Sequence, residues 1–200
     1  MMTVYPDENS TTLARARGCL LGQLAGDALG SLVEFQSPEE IHRSYPEGVR
    51  ELADGGTWNT IAGQPTDDSE MALLLARMLT ERGAYDSDAA LQAYQFWLDS
   101  DPFDCGMTIA TSLRGRPNPD SQANGAMMRI SPLGIFGASH PLETVGDWAR
   151  QDAALTHPNP VCLQANALFT MAIAHAIASG CEAEKLYQNI KQWAADLAVD

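Results

Sequence analysis

Thr66, Asp67 and Asp68 are the residues of this sequence best suited to chemistry. They follow a Gly-Gln-Pro turn and precede a strongly apolar segment that begins at Met71. Two adjacent carboxylates repel each other, so a cation is their natural partner. Magnesium takes oxygen ligands in an octahedron and keeps several waters, so one hydroxyl and two carboxylates would supply half of its shell. The pattern therefore predicts a site for a divalent cation.

The same residues have an ordinary structural interpretation, which is the capping of a helix. Thr and Asp are preferred at helix N-termini, and Asp67 and Glu70 have the spacing of a capping box. One carboxylate is enough for a cap, whereas the sequence supplies two in succession. The sequence alone is compatible with both a helix cap and a cation site.

A glycine-rich stretch from Gly18 to Glu34 contains the second set of candidate groups. Asp27 and Glu34 lie there among apolar residues. Carboxylates in such surroundings have raised pKa values unless a cation is near, and perturbed acids are candidates for proton transfer. A surface acidic pair is the alternative. Glycine recurs at every fourth position, at Gly18, Gly22, Gly26 and Gly30. This smooth ridge predicts a helix at the centre of the fold, closely approached by another backbone.

Two further segments place polar groups at predicted helix ends. Asn124 and Gly125 open a helical turn whose exposed backbone N–H groups suit an anion or a ribose, and Met127 and Arg129 continue it. His157 lies between one predicted helix and a second that begins at a proline. Core packing for the first segment, and an ordinary surface histidine for the second, are the alternatives.

Apolar spacing is helical nearly throughout, so we predict an all-α fold. Residues 1–9 are expected to form a flexible tail, and residues 10–200 one helical domain. Ser10, Thr11 or Thr12 is predicted to cap a helix that runs from about Leu13 to Leu29. The acidic segment 86–88 is expected to cap another helix. The remaining helices are predicted over about 38–45, 71–82, 87–98, 107–113, 142–154, 160–179 and 182–197, with a helical turn at 124–134.

The charge balance argues against several classes of partner. The formal net charge is −14, from 26 acidic and 12 basic residues, which disfavours nucleic acid and an anionic membrane surface. The four cysteines lie far apart without a Cys-x-x-Cys pair, as expected of a reduced, cytoplasmic protein. The first residues lack a secretory signal, and no apolar segment is predicted to reach the length of about 20 residues that spans a bilayer.

Four segments, taken together, resemble the ADP-ribosylglycohydrolase family. They are Gly18–Phe35, Thr66–Ser69, Asn124–Gly134 and Thr156–His157, and they follow the family's order. The resemblance implies a compact, orthogonal all-helical fold around a central cleft that holds two magnesium ions, for which manganese can substitute. It also implies hydrolysis of the bond between ADP-ribose and an acceptor, which is a protein side chain or a small molecule.

The resemblance also implies roles for single residues. Thr66, Asp67 and Asp68 match the family's first group of metal ligands, and the two aspartates are expected to act in catalysis. Glu34 matches a glutamate proposed for acid/base chemistry. The expected substrate contacts are Asp27, Asn124, Gly125, Met127, Arg129 and His157.

One family feature, a second group of metal ligands in an Asp-x-Asp-Thr motif, is not present in these 200 residues. We expect a sequence that represents the N-terminal two-thirds of a family member, a chain completed by another chain, or a protein that has lost catalysis. The leading hypothesis is an ADP-ribose-releasing hydrolase. The alternatives are an inactive homologue that binds ADP-ribose or a protein partner, and a helical interaction domain without a ligand. The acceptor and the oligomeric state stay open.

Overall fold

The structure is a computed structural model that describes residues 11–197, and α-helices dominate this part of the chain. The only β feature among the described residues is an isolated bridge between Gly55 and Thr60. The predicted all-α fold is confirmed. The predicted tail at residues 1–9 and the predicted cap Ser10 lie outside the described residues. The helices are α1 (Thr11–Gly30), α2 (Pro38–Ser44), α3 (Asp67–Arg82), α4 (Ser87–Asp99), α5 (Met107–Leu113), α6 (Ser131–Gly137), α7 (Leu142–Ala154), α8 (Pro160–Ser179) and α9 (Ala183–Asp196).

Two helices differ from the prediction in a way that matters for the site. Helix α3 begins at Asp67 rather than at Met71, so both aspartates occupy its first turn. Helix α6 covers only seven residues, where the sequence predicted no more than a helical turn. Its proline lies in the first turn, where a missing N–H costs no hydrogen bond. A helix this short gives little periodic signal.

Helix α1 is not buried at the centre of the described structure, contrary to the prediction. Ala28 is its one buried residue within that part of the chain. One side of α1 packs against α3, α6 and α8. A Cβ placed on any glycine of the ridge would meet no atom of the described residues within 4 Å, apart from its own neighbours. The four-residue spacing thus indicates a smooth face, but it does not determine whether another helix covers it.

The core lies among α3, α4, α5, α6 and α7, and α8 packs against α6, α7, α9 and α1. Met71, Leu75 and Leu133 are fully buried there. Within the described residues, α8 also has the length and hydropathy of a membrane span, by composition alone. The core helices of ordinary folded domains meet the same criterion, and α8 has four helical neighbours.

A buried ion pair joins the loop before α6 to α7. Arg129 Nε donates to Asp152 Oδ1 at 2.9 Å, and both side chains are fully buried. The Tyr94 hydroxyl donates to the other oxygen of the carboxylate at 2.9 Å, and the guanidinium lies over the Tyr94 ring. The remaining guanidinium contacts are to the backbone oxygens of Gly125 and Asp152 and to Thr156 Oγ1. Because nearly every donor has an acceptor, the buried charge is well compensated.

This buried ion pair predicts that two aspartates of α7 contribute very differently to the free energy of unfolding. Asp152→Asn leaves the Arg129 charge buried without a counter-charge, and we expect it to lower the free energy of unfolding by about 3–5 kcal/mol. The control is Asp147→Asn, because Asp147 pairs with Arg150 at 2.9 Å on the surface of α7. That change should cost about 1 kcal/mol or less. Urea denaturation measures both, and equal losses would contradict the prediction.

Candidate functional site

An open cleft of about 520 Å³ lies where the end of α1, the start of α3, the start of α5 and the loop before α6 meet. All the predicted site residues except two line it. Arg129 does not, because its side chain is fully buried behind the wall. Met127 lines a neighbouring hollow instead, beside Gln23 and Met128. The predicted residues in the cleft wall are Asp27, Glu34, Thr66, Asp67, Asp68, Asn124, Gly125 and His157.

Asp27, at the end of α1, caps helix α3 from outside that helix. Its carboxylate accepts hydrogen bonds from the backbone N–H of Thr66 at 3.0 Å and of Ser69 at 3.1 Å. It also accepts one from the Thr66 hydroxyl at 2.7 Å. The bond from the third helical residue is the one that an N-cap side chain normally accepts. Asp27 therefore fixes the first turn of α3.

The capping interpretation of the threonine and two aspartates does not hold. Thr66 occupies the N-cap position, but its side chain makes no cap hydrogen bond. The predicted capping box is also absent, because Glu70 Oε2 instead accepts a bond from the indole Nε1 of Trp97 at 2.7 Å. Since the cap comes from α1, the carboxylates of Asp67 and Asp68 are not needed for it.

Several carboxylates crowd one wall of the cleft. Burial, with added repulsion from Asp104, raises the pKa of Asp67 to about 6. Burial and the charges of Asp27 and Asp67 raise the pKa of Asp68 to about 7. Burial and then Glu34 raise the pKa of Asp104 to about 6. The ion pairs found in residues 11–197 lie elsewhere, so this negative charge has no basic side chain paired with it.

Thr66, Asp67 and Asp68 fit one part of a divalent cation site. The Thr66 hydroxyl gives its hydrogen to Asp27, which leaves its oxygen free to act as a ligand. Two carboxylates with raised pKa values and no basic partner suit a hard cation. The described residues contain no group of three or more His, Cys, Asp or Glu side chains placed to hold a metal ion. These three residues therefore supply a partial ligand set.

Glu34 lies at the edge of the cleft and is oriented by the loop that precedes α3. Its Oε2 accepts a hydrogen bond from Trp58 Nε1 at 2.7 Å, and its backbone oxygen accepts one from the Thr57 hydroxyl at 2.5 Å. Phe35 and Phe103 pack edge-on against the Trp58 ring, with centroids 6.3 and 6.0 Å away. An aromatic rim thus borders the acidic wall.

A second part of the cleft wall consists of Asn124, Gly125 and His157. A Cβ at Gly125 would lie 2.8 Å from His157 Cε1 and 2.9 Å from Ile109 Cδ1, so this close approach needs glycine. The imidazole is fully buried, and burial followed by the charge of Arg129 lowers its pKa to about 4. His157 is therefore neutral at pH 7, and the ordinary surface histidine considered above is excluded.

Asp104 and Gly106 also line the cleft, although nothing in the sequence pattern singled them out. The Gly106 N–H donates to Asp67 Oδ2 at 3.3 Å. Both residues belong to the connector between α4 and α5. An acid and a glycine directly before a helix were the available signal. The contact with α3 is long-range, so spacing along the chain does not reveal it.

Comparisons with known proteins identify a matching family and several relatives of this chain. The sequence profile of the ADP-ribosylglycohydrolase family matches residues 8–199. The ADP-ribosyl-dinitrogen reductase glycohydrolase of Rhodospirillum rubrum is 36% identical over 157 residues, which are 74% of this chain and 52% of that protein. The ADP-ribosylarginine hydrolase Tri1 of Pseudomonas putida (strain GB-1) is 30% identical over 151 residues, or 67% of this chain and 38% of that protein.

A solved structure, described as an ADP-ribosylglycohydrolase-related protein complex, superposes with a TM-score of 0.76 at 26% sequence identity. The match covers 90% of this chain and 62% of that one. The chain spans about half the length, or less, of the two curated relatives. Since the family profile extends over nearly all of its residues and the fold is shared, the chain belongs to the ADP-ribosylglycohydrolase family.

Proposed function

We propose that the chain acts as a hydrolase that removes ADP-ribose from a modified acceptor, by cation-assisted cleavage of an N- or O-glycosidic bond. The observation that carries the proposal is the cleft itself. One part of the wall holds crowded carboxylates without a basic partner, and another part offers backbone, amide and imidazole groups. Both relatives described above are, by their names, hydrolases that act on ADP-ribosyl groups. The acceptor is an ADP-ribosylated protein or a small molecule.

Magnesium is the cation we propose, with manganese as a substitute. Thr66, Asp67 and Asp68 would hold it, and the two ions expected of the family would need ligands beyond this partial set. A bound cation supplies polarisation of ribose oxygens and a water of lowered pKa. Asp27 keeps the first turn of α3 in place and so orients all three ligands.

Glu34 is the residue we propose for proton transfer. Its position at the cleft edge, held by Trp58, lets it exchange a proton with the departing group or with water while the sugar develops oxocarbenium character. Asn124 and Gly125 would contact the nucleotide on the other wall.

The four cysteines are all free, which supports the proposed cytoplasmic location.

A second candidate function is favoured by one observation. The described residues provide no complete set of acidic or imidazole metal ligands. A chain with this cleft and only a weak hold on magnesium would bind ADP-ribose without cleaving it. Binding of ADP-ribose that is independent of magnesium, with no turnover, would favour this alternative over the hydrolase.

Cation binding tests the acidic wall directly. We expect Asp68→Asn to weaken binding of Mg²⁺ or Mn²⁺ about tenfold or more, because a charged ligand is lost. The matched control is Asp88→Asn, since Asp88 occupies the same second position of helix α4 but is exposed. Isothermal titration calorimetry with MgCl₂ and MnCl₂ measures both variants. Equal affinity of Asp68→Asn and the unmodified chain would refute the ligand assignment.

Turnover tests the hydrolase. The chain should release ADP-ribose from ADP-ribosylated arginine or serine peptides in MgCl₂, and EDTA should stop the release. Glu34→Gln should lower the rate by about 100-fold or more, since a positioned acid or base contributes on the order of 10²–10⁴. Chromatography of the released ADP-ribose is the measurement. A rate that Glu34→Gln does not change would remove this residue from the mechanism.

The raised pKa values predict how stability depends on pH without a metal. Asp67 and Asp68 have pKa values of about 6 and 7 in the fold, against an ordinary value of 3.8. Between these values the folded chain holds protons that the unfolded chain has lost, so their contribution to the free energy of unfolding falls as pH rises. His157 has the opposite effect. Its pKa is lowered to about 4 in the fold, so the unfolded chain binds the proton first and the free energy of unfolding decreases as the pH falls towards 4.

Urea denaturation in EDTA, between about pH 5 and pH 8, separates these contributions. Asp68→Asn lacks one titrating carboxylate, so its stability should fall less steeply with pH than that of the unmodified chain. Addition of MgCl₂ should recover stability at pH 8 more than at pH 5, because protons compete with the cation. Parallel pH profiles for the two chains would contradict the assigned shift.

A further inference from the structure

His157 lines the cleft and carries a buried ring nitrogen that lacks a hydrogen-bond partner. Its side chain is fully buried and lines the wall next to Gly125. Nε2 has no hydrogen-bond partner among the described residues. Buried ring nitrogens are nearly always paired, so an unpaired one in a cleft wall indicates a group that a ligand completes. A neutral imidazole carries one N–H, and the chemistry offered depends on which nitrogen holds it.

The hydrogen bonds behind the imidazole determine that choice. Arg129 Nη1 donates to Thr156 Oγ1 at 2.9 Å, and Thr156 Oγ1 lies 2.9 Å from His157 Nδ1. A guanidinium can only donate, so the threonine oxygen accepts from Arg129. Among the described residues, the acceptor that lies within reach of the hydroxyl hydrogen is then His157 Nδ1. Nδ1 therefore accepts, and the hydrogen of the neutral ring is on Nε2.

The opposite tautomer would leave a buried group unpaired. If Nδ1 carried the hydrogen and donated to Thr156, the threonine hydroxyl would have no acceptor in a fully buried position. Rotation of Arg129 cannot relieve this, because Asp152 and the backbone oxygen of Gly125 hold the guanidinium on its other sides. We call the hydrogen bonds from Arg129 through Thr156 to His157 the relay. The buried Arg129–Asp152 ion pair thus sets its direction.

We propose that Arg129 and Thr156 are positioning residues that hold His157 as the Nε2–H tautomer, so that the imidazole offers the cleft a hydrogen-bond donor and not a base. The acceptor would be an oxygen of the bound ADP-ribose, a part of the proposal that rests on the proposed function. Arg129, which the sequence placed in the substrate cleft, acts instead through two intervening side chains.

Thr156→Val and Thr156→Ser provide the test. Valine keeps the shape of threonine but lacks the hydroxyl, whereas serine keeps the hydroxyl. The bond from Ser112 reaches the backbone oxygen of Thr156, so neither change removes it. Long-range ¹H–¹⁵N NMR of the imidazole distinguishes a protonated ring nitrogen from an unprotonated one. A change in packing alone would not alter this signature in a folded chain.

We expect Nε2 of the unmodified chain and of Thr156→Ser to show the protonated signature. In Thr156→Val, the two tautomers should mix. Calorimetry with ADP-ribose should show affinity about tenfold weaker for Thr156→Val, the effect of one hydrogen bond, and near the original value for Thr156→Ser. An unprotonated Nε2 in the unmodified chain would overturn the proposal, and so would an unchanged tautomer in folded Thr156→Val.

The NMR spectra test the tautomer of His157 and the titrations test binding of ADP-ribose, so each prediction can fail without the other. If the tautomer behaves as expected but the unmodified chain does not bind ADP-ribose, the relay stands and the proposed function fails. If ADP-ribose binds but Thr156→Val changes neither the tautomer nor the affinity, the relay fails alone. Should Thr156→Val not fold, the spectra of the unmodified chain and of Thr156→Ser still decide which nitrogen carries the hydrogen.

Discussion

The carboxylate of Asp27 is the interaction on which the acidic wall depends. It lies near the end of α1 and accepts hydrogen bonds from the N–H groups of Thr66 and Ser69, at the start of α3, and from the Thr66 hydroxyl. A helix N-terminus needs such acceptors, and the side chain of its own N-cap residue usually provides them. Here the acceptor comes from α1. Asp67 and Asp68 are consequently left in the cleft wall with their charges unpaired by any basic side chain of the described chain.

The two walls of the cleft are supported in different ways. On the acidic side, Asp27 of helix α1 accepts hydrogen bonds from the start of α3. On the other side, a charged pair inside the core holds the loop before α6 and, through Thr156, the imidazole of His157. Burial raises the pKa values of the acids and lowers that of His157. The cleft therefore combines groups that favour a cation with a neutral wall that can donate hydrogen bonds.

The sequence carried enough information for the fold class, for most helices and for eight of the residues that line the cleft. Those inferences rest on local signals, namely helical periodicity, caps and short motifs. The sequence could not supply the contacts between residues that lie far apart along the chain. It did not reveal that the cap of α3 comes from α1, that Asp104 joins the acids, or that Arg129 faces the core. Each of these depends on contacts between distant segments, and an arginine in a motif looks the same whether it faces solvent or an aspartate.

Gly125 has a consequence for how the cleft keeps its shape. No side chain larger than hydrogen fits there beside His157 and Ile109. The wall at this point is made of peptide atoms, and peptide atoms have no rotamers to change. A ligand that contacts the cleft at Gly125 therefore meets backbone, and no rotamer change at residue 125 can alter that part of the surface.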